Sequence, residues 1–272
     1  MTNLQLVENF QNKIFTINLF MKNGIKLIIS NFSFFVIILC WQICAKIIDS
    51  SLILPYPITV FLEIINIIAK SSFWLNFLHT FSRIIISFLI SIILGSFIGI
   101  LSGINQYIKQ FFKLPLSIIK STPVVAIILV ALFWLKSSTI PIFVSVLMTL
   151  PIIATNVLNG FQNIDEKLIQ MSNLYSFSFL QKFFKIKLHY VFPYFLSGVN
   201  SAFGLTWKVV IAGEILSLPK NAIGTVLSKA QVHLETQTVL AYTILIILFS
   251  YLLELLVSTI IKSILKRNLW NS

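Results

Sequence analysis

Six separate stretches of this chain, at about 27–45, 77–103, 114–135, 140–158, 191–211 and 239–261, are long and apolar enough to cross a lipid bilayer. A crossing needs about 20 mainly apolar residues. In hydrocarbon every backbone N–H and C=O must be satisfied within the chain, so each stretch is expected to be a helix. The rest of the composition agrees: of 272 residues 57% are hydrophobic and 10% charged. A soluble domain carries about 25% charged residues. Too few polar side chains are present to cover a water-facing surface of this size, which excludes a soluble enzyme, a secreted scaffold and a disordered regulator. The chain reads as an all-α integral membrane protein.

The charge balance then sets an orientation. Lys plus Arg number 20 against 8 Asp plus Glu, a net +12. Lysines and arginines collect in cytoplasmic loops of membrane proteins, so the excess points to loops rather than to nucleic acid. With the N-terminus inside, the cytoplasmic side holds Lys13, Lys22, Lys26, Lys109, Lys113, Lys167, Lys182, Lys185, Lys187, Lys262, Lys266 and Arg267. Lys46, Lys70, Arg83, Lys136, Lys220 and Lys229 fall outside. Both termini are therefore expected in the cytoplasm. Residues 1–26 place Leu6, Phe10, Ile14, Ile17 and Met21 at helical spacing and read as an interfacial amphipathic segment rather than a signal peptide. A single membrane domain is expected over 27–264, with a cytoplasmic tail at 265–272. A second amphipathic helix is predicted over 58–69, striped by Thr59, Glu63, Asn66 and Lys70. Cys40 and Cys44, four apart in an apolar run, are expected to pack as small buried hydrophobes, with no metal site.

One segment breaks the hydropathy pattern. The stretch of about 160–190, between the fourth and fifth spans, is too long for a turn. Asn163 with Glu166, and Ser178 with Gln181, each have capping-box spacing and predict two short helices joined near 175–178. From the residues alone this is a docking element on the cytoplasmic side.

Leu168 through Tyr194 resembles the EAA loop of the permease subunits of ABC importers. Gln170, Met171 and Ser172 fall on the family's Glu-Ala-Ala, Ser176 on its Gly, and Leu188 and Pro193 on its apolar and proline positions. The Glu and the Gly are replaced. Leu54-Pro-Tyr-Pro57, Lys120-Ser-Thr-Pro-Val124, Gly204 to Glu214 and Leu218 to Gly224 resemble, in order, segments of the nitrate, sulfonate and taurine branch. The resemblance implies a type I permease fold with six transmembrane helices and a coupling loop between helices 4 and 5. It also implies a bacterial inner-membrane subunit that pairs with a second permease copy, docks ATPase subunits and receives a small solute from an extracytoplasmic binding protein. The solute class implied is nitrate-, sulfonate- or taurine-like, or a vitamin precursor. At Ser176 a left-handed turn would cost about 1 kcal/mol relative to glycine.

The chemistry visible in the spans is sparse. No GxxxxGK[ST] phosphate loop is present, so the chain is expected to bind no cofactor itself, with ATP and Mg held by the partner ATPase. Intramembrane ionisable residues are costly and mark functional sites. Lys208, inside the fifth span, is a candidate for the substrate pathway, for snorkelling to an interface, or for a structural pair with Glu214. Arg83 fits an interface anchor better than the pathway, and Glu254 has no partner identifiable from sequence. Gly95, Gly99 and Gly103 form a small-residue face, by default for internal packing and otherwise for a subunit contact. A competing reading is an ion-coupled secondary transporter, which would require a midplane ion site and two matching halves that the pattern lacks.

Overall fold

The computed structural model describes residues 32–270 apart from 34, with side chains to residue 266. The amphipathic segment expected over 1–26 lies outside the described residues. Among the described residues eleven helices follow in chain order: α1 (Phe35–Ile48), α2 (Pro57–Ala69), α3 (Ser71–Ile104), α4 (Gln106–Ser121), α5 (Val124–Ala131), α6 (Ile140–Gln162), α7 (Glu166–Leu174), α8 (Phe179–Gln181), α9 (Leu188–Ser217), α10 (Ile223–Val232) and α11 (Thr236–Trp270). A π-helical stretch, Lys182–Lys187, joins α8 to α9 without a break, so Phe179–Ser217 is one continuous helix of 39 residues.

Four helices, α3, α6, the Phe179–Ser217 helix and α11, are each long and apolar enough to cross a membrane, and α4 with α5 makes a fifth if that bent pair is one span. The expected sixth, at 27–45, begins outside the described residues and continues as α1 to Ile48. The third expected span, 114–135, is not straight. It breaks between α4 and α5 with a bend of 96°. Pro123 disfavours the helical region for the residue before it, and Thr122 is accordingly extended at φ −80° and ψ 129°. At eight residues, α5 extends only about 12 Å and cannot cross alone. The last helix runs through the residues expected as a tail, to Trp270.

The core is the stack of α6 between α9 and α3. The small-residue face of α3 makes that stack close. A Cβ on Gly95 would lie 2.8 Å from Cβ of Ile153, and one on Gly99 would lie 2.7 Å from Cβ of Val157. Gly103 abuts Phe161 in the same way. These glycines serve internal packing. Ser91 and Thr149 share a buried hydroxyl contact of 2.6 Å across the seam, the polar complement to close helix packing in lipid. Trp207, Phe203 and Val210 of α9 fill the centre. The amphipathic α2 buries Val60 and Ile67 against α11 and α3. Cys40 and Cys44 are exposed on α1 rather than buried; successive turns of that helix carry both to its outer face.

Candidate functional site

Three places gather the polar chemistry of the chain: a turn at one end of α9, a buried clamp at its other end, and a cavity between them.

The turn joins α7 to α8. Asp165 caps α7, its carboxylate accepting from the Lys167 N–H at 2.9 Å. The expected cap, Asn163, instead ends α6, its side-chain amide donating to the Asn159 carbonyl at 2.8 Å. Asp165 stands one residue before the first helical position, where its carboxylate reaches an unpaired N–H. At the other helix the expected capping box forms: the Ser178 N–H donates to Oε1 of Gln181 at 2.9 Å, and the Gln181 N–H to Oγ of Ser178 at 3.3 Å. Between them the Phe177 N–H bonds to the Ser172 carbonyl and the Ser176 N–H to the Asn173 carbonyl, both at 3.0 Å. That pair of bonds is a Schellman motif, which places its terminal residue in the left-handed region. The residue is Ser176, at φ 53°. A serine therefore occupies a conformation that glycine adopts freely. Ser172 is buried and bonded to the Ile169 carbonyl at 2.7 Å, whereas Gln170, Met171 and Ser176 are exposed. Leu174 is 85% exposed and Tyr175 72%. Phe179, Leu180 and Phe184 stand out alongside them. Leu188 and Pro193 lie in the first two turns of α9, also exposed.

Of the three pathway candidates Arg83, Lys208 and Glu214, the clamp brings Arg83 and Glu214 together and leaves Lys208 apart. Six residues along a helix turn the chain through about 600°, so Lys208 and Glu214 face away from each other. Glu214 is wholly buried, and its partner is Arg83 of α3, at 2.8 Å. That is the only salt bridge among the described residues. Arg83 is 8% exposed, which excludes an interface anchor. The second carboxylate oxygen accepts from Thr80 at 2.9 Å and from the Gly224 N–H at 3.1 Å. The Arg83 guanidinium also donates to the carbonyls of Asn221 and Lys220, at 3.2 and 3.1 Å, and the Ile223 N–H donates to Thr80. The network binds the loop between α9 and α10 onto α3, and it supports the left-handed residues Leu218 and Asn221 in that loop. Thr80 was not singled out by sequence reasoning; its place one turn before Arg83 was the available signal.

Lys208 sits apart from the clamp. It is exposed and lines a cavity of about 470 Å³ between α9 and α11, together with Glu254. Lys208 and Glu254 make no ion pair with each other.

The described residues thus form an all-helical bundle with a capped, exposed turn at one end of α9 and a clamped loop at the other, an arrangement in keeping with a membrane transport subunit. Residues 91–267, well over half of the chain, match the family described as "Binding-protein-dependent transport system inner membrane component". The chain belongs to that family and is the translocation subunit of an ABC importer, on the sulfonate and nitrate branch. It is 30% identical over 220 residues to SsuC of Escherichia coli (strain K12), whose name assigns it to aliphatic sulfonates transport; the match covers 80% of this chain and 83% of that one. The solved structure titled "Crystal structure of an amino acid ABC transporter with histidines" superposes with a TM-score of 0.58 over 69% of this chain and 90% of its own, at 14% identity, a likeness of fold. The family is one of transport permeases and not of enzymes, it acts with ABC ATPases and binding proteins, and the chain is a multi-pass membrane protein.

Proposed function

We propose that the α7–α8 turn is the surface on which a separate ATPase docks, and that Lys208 faces the solute path. The observation that carries the docking role is the exposure of Leu174 and Tyr175 at the tip of a capped, hydrogen-bonded turn. Large apolar side chains held out on a rigid, water-facing loop favour burial in a partner. Gln170, Met171 and Ser176 lie on this surface, Ser172 braces it from beneath through its bond to the Ile169 carbonyl, and Leu188 and Pro193 carry it into α9. ATP and Mg are bound by the ATPase, whose closure rocks the attached helix. Two copies of the chain enclose the path, as one membrane domain over 27–264 flanked by the interfacial segment 1–26 and the tail 265–272. The turn faces the cytoplasm with both termini, by the loop charge bias, in a bacterial inner membrane. The opposite end receives solute from an extracytoplasmic binding protein. The likeness to the sulfonate relative supports a small solute of the sulfonate, nitrate or taurine kind, or a vitamin precursor. Arg83 and Glu214 act here by holding the loop at the receiving end, not by meeting solute.

Purification of the tagged chain from its native membrane tests the docking. A stoichiometric ATPase is expected to copurify, to be lost with Ser176→Trp or Gln170→Arg, and to be retained with Ser176→Gly, which relieves about 1 kcal/mol of backbone strain. Retention of the ATPase by Ser176→Trp places the docking surface elsewhere.

A further inference from the structure

The α9–α10 loop that the clamp holds also walls a further pocket, of about 330 Å³, together with Asn76 of α3 and Thr225, Val226 and Lys229 of α10. Lys220 and Lys229 both line it and no carboxylate does, and neither lysine takes part in the one salt bridge among the described residues. The backbone adds donors. Three successive carbonyls of the loop are already taken: Pro219 accepts from the Thr225 hydroxyl at 2.7 Å, and Lys220 and Asn221 accept from the Arg83 guanidinium at 3.1 and 3.2 Å. In a trans peptide the N–H points opposite to the C=O. The N–H groups of Lys220, Asn221 and Ala222, which share those three peptides, are therefore turned away from these donors, and none has an acceptor among the described residues. Asn221 is left-handed, at φ 50°, and runs of N–H groups in such turns make concave seats for anions. Asn76 stands immediately before the apolar run of 77–103, and Lys220 three residues past the end of α9. The pocket is thus at the level where the spans leave the hydrocarbon. Leu218 in its wall is exposed, as are Leu75 and Leu78 on either side of Asn76.

We propose that this pocket binds the phosphate of an anionic phospholipid, in the leaflet that meets the α9–α10 end of the bundle. Lys220 and Lys229 hold the phosphate oxygens, the loop N–H groups donate to them, and the Asn76 side chain is left for the rest of the headgroup. The exposed leucines take the upper part of an acyl chain. Two lysines and a row of donors, with no carboxylate among them, select an anion. A free oxyanion would be held by exposed, salt-screened charges alone. A phospholipid is already concentrated at this level, and its chain covers apolar surface that water would otherwise meet. The loop is also preorganised for the headgroup, because Arg83 fixes its carbonyl edge. The inference needs only that the chain spans a membrane, and it stands apart from the docking and solute readings.

The test is native mass spectrometry of the full-length chain released from detergent micelles, titrated with phosphatidylglycerol or with phosphatidylcholine of the same acyl chains. One phosphatidylglycerol is expected to bind ahead of the rest, and about tenfold more tightly than phosphatidylcholine, whose phosphate is offset by its own cation. Lys220→Gln combined with Lys229→Gln should weaken that first site about twenty-fivefold, at about fivefold per lysine. Lys109→Gln combined with Lys113→Gln, at the other end of the bundle, should leave it unchanged. Lys229→Glu, a single change on an exposed position, carries the test if the double variant fails to fold. Inorganic phosphate and sulfate, each in excess, are expected not to displace the lipid. Displacement by either ion assigns the pocket to a small oxyanion and overturns the proposal. Equal binding of the two lipids overturns it too, as does a first site that survives both the double substitution and Lys229→Glu.

Discussion

Arg83 and Glu214 show what makes a charge tolerable inside a helix bundle: every donor and acceptor around the Glu214 carboxylate is spoken for, by a guanidinium, a hydroxyl and a backbone N–H. Removing one ion leaves the other stranded, which costs about 3–5 kcal/mol in buried pairs. Arg83→Met is therefore expected to lower the melting temperature of the detergent-purified chain and its yield from the membrane. Arg83→Met combined with Glu214→Met should recover part of the loss, since an apolar pair strands no charge. A single variant that melts like the parent sinks the clamp as a structural element. The Ser178–Gln181 box was legible because its two residues meet within one turn. Arg83 and Glu214 stand 131 residues apart, and no local pattern links them. The six-residue spacing of Lys208 and Glu214 invites a pairing that helical geometry forbids.

At the scale of elements, the seam between α3 and α6 depends on glycine because their axes approach within reach of each other's Cβ atoms. Gly99→Leu forces that seam open and is expected to destabilise by about 1–3 kcal/mol, the cost of overpacking a filled core. Ile93→Leu, on the outward side of the same helix where the side chain is 66% exposed, serves as the control and should be silent. Equal melting of the two variants would mean that the seam yields freely. The long apolar helices were legible because lipid demands one length and one composition. The break between α4 and α5 had its signal in Pro123, but proline inside a span is often absorbed by a kink, and only the packing of α5 against α6 and α9 turns it through a near right angle.

For the molecule as a whole, the two ends of α9 must face opposite compartments. In a chain with Cys40→Ser and Cys44→Ser, Lys220→Cys should react with a membrane-impermeant maleimide in intact cells. Tyr175→Cys should react only after permeabilisation. The reverse pattern inverts the topology and removes the docking turn from the cytoplasm. Between those ends runs a single helix of 39 residues, from Phe179 to Ser217. It works as a lever about 58 Å long, so that a tilt of about 5° around its midpoint carries each end through about 2.5 Å. A partner that nudges the α7–α8 turn sideways therefore pushes the Arg83–Glu214 clamp the opposite way, and the α9–α10 loop swings with it.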